Sequence, residues 1–189
     1  MFKKRINNYI RMTIDAKSKE ILSNLKSTNP EFVLRTVDKI RESGNSFVME
    51  GLIELLHNTE LPEIKKSILN LFSELKNIES IPAIIAAIKN EKYTNERKEL
   101  VASCWQNGLI FNDYLPVFID LVINEEFIVA FEAFTVIENM YGRIEDEIID
   151  AEIIKIKNAL KNTSEQKAYL LNGLLEVIRD IPEKQEFTD

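Results

Sequence analysis

Cysteine, histidine and tryptophan occur once each in the 189 residues, and glycine and proline five times each. Each scarcity excludes something. A lone cysteine, Cys104, can form no internal disulfide, which fits a reducing compartment. A lone histidine, His57, has no second His or Cys at ligand spacing, so no zinc signature can be drawn. The few glycines build neither a phosphate-cradling loop nor a nucleophile elbow. No apolar run reaches the roughly 18 residues of a membrane span. The basic start MFKKRINNYIRMTIDAK lacks the apolar segment and small-residue cleavage site of a secretory signal. Strand-like alternation is missing, although 45% of the residues are hydrophobic. The expectation is an all-α, cytoplasmic, non-enzymatic protein that needs no metal and no cofactor.

What is present is a repeat. Ile81, Ile84, Ile85 and Ile88 stand at i, i+3, i+4 and i+7, the spacing of one helical stripe. The stripe recurs at Met49, Leu52, Ile53 and Leu56, and at Leu115, Phe118, Ile119 and Val122. A second stripe precedes each of these. It runs through Thr36, Val37 and Ile40, then Ile68, Leu69 and Phe72, then Val101, Ala102 and Trp105, then Ala133, Phe134 and Ile137, and lastly Leu170, Leu171 and Leu174. A period of this length marks stacked helical hairpins, none of which can bury its apolar faces alone.

The turns follow the same period. Pro30, Pro62, Pro82 and Pro116 fall in first helical turns, where a missing N–H costs nothing, and Pro182 stops the last helix. Asn29 can cap the helix that Pro30 opens. Gly44, Gly108 and Gly142 each follow a first helix, where a left-handed residue turns the chain. The helix pairs expected are 30–43 with 46–58, 62–76 with 80–90, 95–107 with 112–124, and 126–140 with 145–161. A last helix covers 164–180, with a capping box at Thr163 and Gln166. The units run about 30–60, 61–93, 94–125, 126–163 and 164–180; residues 181–189 form a polar tail.

Residues 1–29 precede the repeats, and a basic amphipathic helix is expected over 5–27 with Ile6, Ile10, Ile14, Ile21, Leu22 and Leu25 along one stripe. Its simplest role is to cap the stack; lying on an anionic membrane or binding an acidic partner are the alternatives. Residues 1–27 carry seven basic side chains against Asp15 and Glu20, a local charge of +5, which leaves −12 for the rest of a chain whose net charge is −7. An acidic body disfavours nucleic acid and favours cationic partners.

Paired helices, this period, the early proline of the second helix and the phrase ESIPAIIAAIKN together resemble a HEAT repeat over about residues 30 to 180. The related armadillo type of stacking stays open. The resemblance implies a right-handed α-solenoid of stacked antiparallel helix pairs, about ten to eleven helices. It also implies a concave face lined by the second helices. Opposite their apolar stripes stand Glu50, Glu54 and Asp120, with Asp113 and the cluster Glu145, Asp146, Glu147, Asp150 and Glu152 nearby. That predicts an acidic trough for a basic protein or peptide. An inhibitor or immunity-type protein that masks a basic toxin or nuclease would use the same surface. A HEAT-like DNA glycosylase is the enzyme alternative, and the acidic charge counts against it.

Single residues read as structural. Cys104 sits on a core stripe, His57 ends a helix whose dipole suits its cationic form, and the 145–147 carboxylates occupy a first turn. Among the aromatics, Trp105, Phe118, Phe131, Phe134 and Tyr141 have core spacing. Phe111, Tyr114 and Phe127 fall near turns, where an exposed binding patch could form.

Overall fold

Proline and asparagine set the helix starts, as the spacing predicts. In the computed structural model, which describes residues 16–43 and 48–181, the chain is helical with no strand among the described residues. Helix α1 covers 16–24, followed by α2 Pro30–Ser43, α3 Met49–Asn58, α4 Pro62–Ser73, α5 Ile81–Ile88 and α6 Arg97–Gln106. Then come α7 Leu115–Asn124, α8 Phe127–Glu138, α9 Asp146–Ala159 and α10 Glu165–Asp180. Pro30 and Pro62 open α2 and α4, and Pro82 and Pro116 stand second in α5 and α7. Asn29 Oδ1 accepts the N–H of Phe32 at 3.2 Å, the reach of an N-cap.

Two turns require glycine. Gly108 and Gly142 have φ of 69° and 82°, in the left-handed region that side chains resist. Gly44, Pro182, the polar tail and the part of the basic helix before residue 16 lie outside the described residues. The capping box anticipated at Thr163 and Gln166 does not form. A short turn at Leu160–Asn162 prolongs α9, and Ser164 becomes the N-cap, its Oγ accepting from the N–H of Lys167 at 3.3 Å.

The repeated stripes are what the helices bury. Met49, Leu52, Ile53 and Leu56 of α3, Ile81, Ile84, Ile85 and Ile88 of α5, and Leu115, Phe118, Ile119 and Val122 of α7 are all buried. A fully buried Leu, Ile or Phe contributes about 1.5–3 kcal/mol, so each stripe outweighs any local helix preference. The first helices form one continuous row, α2 on α4, α4 on α6, α6 on α8 and α8 on α10. Of the second helices, α3 lies on α5 and α7 on α9. The most extensive antiparallel contact is α7 with α8, joined by only Glu125 and Glu126. At the other end α1 packs on α3, so closely that a Cβ on Gly51 would stand 2.2 Å from Leu22 Cδ2.

Two aromatic positions depart from the expected core. Trp105 is 37% exposed, because α6 turns Leu100, Val101 and Cys104 inward and leaves the indole at the edge, where its N–H donates to Glu132 at 2.9 Å. Phe131 is also exposed, while Phe118 is buried and Phe134 and Tyr141 are half-buried.

Side chains tie one unit to the next. Lys76 Nζ donates to the carbonyl of Asn107 at 3.0 Å, and Asn112 Nδ2 to that of Tyr141 at 2.8 Å. The buried guanidinium of Arg97 donates to Ile88 O, Glu91 Oε1 and Glu125 Oε1 at 3.0, 3.1 and 2.5 Å. Lys167 at the start of α10 donates to the carbonyls of Val122 and Glu125, closing the free end of α7. Its burial lowers the ammonium pKa from the ordinary value.

Candidate functional site

Opposite its buried stripe each second helix carries side chains that recur at the repeat period. Positions 50, 82, 116 and 151 correspond to one another in the repeat, as do 54, 86, 120 and 155. In the centre stand Pro82 and Ala86, both exposed and small. Glu50 and Asp120 are exposed, and Glu54 is half-buried. Glu50 and Glu54 thus stand on α3, and Asp120 on α7, which lies on α9.

Two of the expected carboxylates, Glu54 and Asp120, are paired with lysines. Lys92, in the turn after α5, reaches Glu54 Oε2 at 2.5 Å. Tyr93 donates its hydroxyl to the same oxygen at 2.9 Å, and Asn58 Nδ2 donates to Glu54 Oε1 at 2.8 Å. With Lys92 contributing most, then Asn58 and Tyr93, the Glu54 carboxyl is held down to about 2. The Lys92 ammonium rises in return through its bond to Glu54. The Tyr93 phenol rises too, first through burial and then through Glu54.

On α9, Lys155 lies 2.9 Å from Asp120 Oδ1 and 2.8 Å from Glu152 Oε2. Burial alone would lower the Lys155 pKa, but the bonds to Glu152 and Asp120 outweigh it and raise it. Glu152 is buried on this lysine, apart from the exposed Glu145, Asp146, Glu147 and Asp150. Glu145 is the N-cap of α9, and Asp146 and Glu147 fill its first turn, where the helix dipole favours negative charge. Among the described residues, no group of three or more His, Cys, Asp or Glu is placed to hold a metal ion.

The aromatic candidates separate. Phe111 is 2% exposed and meets Phe118 edge to face with ring centroids 5.8 Å apart, so it belongs to the core and offers no surface. Its turn folds back because Asn107 Oδ1 accepts from Leu109 N–H at 2.8 Å, carrying the ring inward. Tyr114 is half-buried against the core, and the neighbouring Asp113 is exposed. Phe127 remains exposed on α8 and stacks on Phe131, centroids 6.2 Å apart.

His57 has a partner the local sequence does not reveal. Its Nδ1 lies 3.1 Å from Glu96 Oε2, and its ring meets Tyr93 edge to face at 5.4 Å. The contact spans 39 residues, so only the stacking of units creates it. Cys104 is buried with its Sγ 3.4 Å from Leu100 O, and burial pushes the thiol pKa far up, away from nucleophilic use. Among the described residues no helix is long and apolar enough to cross a membrane. No protein-family model matches the chain, and none of the curated proteins compared with it matches either.

Proposed function

We propose that the chain is a HEAT-like α-solenoid, right-handed and non-enzymatic, that binds a basic segment of another protein along its second-helix face. What supports this reading is that the second helices carry Glu50 and Asp120 exposed and Glu54 half-buried, with the small residues Pro82 and Ala86 exposed on α5. A floor of small side chains lets a peptide backbone approach, and carboxylates at its margins meet Lys or Arg of the ligand. Lys92 and Lys155 do not remove this capacity. Their ion pairs with Glu54 and Asp120 are roughly half exposed, where solvent and salt screen them, so a polybasic ligand can take over the carboxylates. A cytoplasmic setting and a protein or peptide partner, with no metal and no cofactor, belong to the same reading.

The test is binding of a basic peptide array at several salt concentrations, comparing the native chain with a Glu50→Lys, Glu54→Lys, Asp120→Lys triple variant. The proposal expects salt-sensitive binding that the variant loses by at least tenfold. Equal binding by both proteins, or binding indifferent to salt, would place recognition elsewhere.

A further inference from the structure

Between α1 and α2 lies a groove of about 420 Å3, within the roughly 300–1,000 Å3 of small-molecule sites. Lys17 and Glu20 enter it from α1, and Arg35 and Lys39 from α2. Its apolar surface comes from the ring of Phe32, 37% exposed, and from half-buried Ile21.

The charge of this groove is the reverse of the chain's net −7. Arg35 and Lys39 stand one turn apart on the same side of α2. As a whole α2 balances three cations with Glu31, Asp38 and Glu42. Yet Asp38 is held by Arg41 at 3.2 Å, and among the described residues only Arg35 and Lys39 of α2 bring charge to the groove. Three cations thus face one carboxylate there, a net charge of +2. Among the described residues none of Lys17, Arg35 and Lys39 forms an ion pair. The adjoining sequence supplies no net negative charge, since residues 1–15 carry four cations and one carboxylate and residues 44–47 carry none. Like charges gathered in one groove repel each other and add their attraction for a multivalent anion.

We infer that this groove binds a small phosphate monoester carrying an aromatic group. A phosphate monoester has a charge of about −1.5 to −2 near neutral pH and so neutralises the groove, whereas a carboxylate brings one charge and leaves cations in excess. Arg35 offers a planar fork for two phosphate oxygens, and Lys17 and Lys39 add compact positive charges. Phe32 gives the ring of the ester a face to stack on. Glu20, in the same groove, opposes a longer polyanion. None of these residues belongs to the set Glu50, Glu54 and Asp120, so the two sites stand or fall separately.

The test is calorimetric titration of the full chain at low salt with phenyl phosphate, inorganic phosphate and phenol. Phenyl phosphate should bind once per chain, inorganic phosphate about tenfold more weakly for want of the ring, and phenol not at all. Arg35→Glu with Lys39→Glu should weaken phenyl phosphate by at least about tenfold. Lys66→Glu, exposed on α4 and outside the groove lining, should change it by less than about twofold. Phe32→Ala should bring phenyl phosphate down to the level of inorganic phosphate. All four replaced side chains are exposed, so circular dichroism should show each variant folded. A short phosphotyrosyl peptide distinguishes the source of the ester: binding at least about tenfold tighter than phenyl phosphate assigns it to a modified partner protein, and weaker gains assign it to a free small molecule. A chain that binds none of the probes overturns the inference. So does equal binding of inorganic and phenyl phosphate, or a Lys66 variant as weak as the groove variant.

Discussion

Replacing Arg97 by methionine tests how far the stack depends on charge buried between units. The guanidinium is 4% exposed, and its partners differ sharply, Glu91 being 87% and Glu125 25% exposed. Methionine keeps most of the stem and removes the donors. The carbonyl of Ile88, at the end of α5, then loses the Nε–H donor 3.0 Å away. A buried acceptor left unsatisfied costs about 1–3 kcal/mol. Glu125 loses its short bond while largely covered; breaking a fully buried pair costs about 3–5 kcal/mol, and partial exposure should reduce that to about 1–2. Glu91 simply rehydrates, at close to zero. The total is about 3 kcal/mol, which for a chain of this size lowers Tm by roughly 6–12 °C. Thermal and urea unfolding would measure it, with double-mutant cycles apportioning the loss. Coupling of Arg97 to Glu125 should exceed about 1 kcal/mol and coupling to Glu91 stay under about 0.5. A loss below about 1 kcal/mol, or the opposite order of couplings, would refute the argument from burial.

Other positions give separate expectations. Phe118→Ala, which removes a fully buried ring and its contact with Phe111, should cost about 3–5 kcal/mol in urea unfolding, against under about 1 for the exposed Phe127→Ala. Gly108→Ala should cost about 1–2 kcal/mol through its left-handed backbone alone, because nothing lies within 4 Å of an added Cβ; Gly108→Asn should recover part of that. Glu54 has its pKa depressed from 4.5 to about 2. The stability its partners confer is therefore complete above pH 4.5 and lost as pH falls from there toward 2, and Glu54→Gln should flatten that acid limb of the stability profile. Cys104 should react with a thiol reagent only after unfolding, at a rate that follows denaturant concentration.

Much of the helical architecture is local and was open to reading along the chain. Stripes at three- and four-residue spacing, prolines in first turns, and Gly108 and Gly142 at reversals place helices to within a few residues, because each signal acts over one or two turns. Even there one residue of phase matters. Thr163 and Ser164 are both competent caps, and the extra turn at Leu160–Asn162 decides for Ser164. The candidate carboxylates were legible as residues opposite the stripes, since helical geometry alone separates the two faces.

Their electrostatic state was not legible. Lys92 meets Glu54 across 38 residues and Lys155 meets Asp120 across 35, distances along the chain at which no local pattern carries information. Aromatic exposure shows the same division. In sequence Phe111 falls near a turn and Phe131 has core spacing, yet a folded-back turn buries the first on Phe118 and the row of first helices leaves the second in solvent. Sequence determines which residues share a helix face, because that needs only the backbone's own period. Which faces meet, and which charges are thereby paired or left open, is decided when neighbouring units stack.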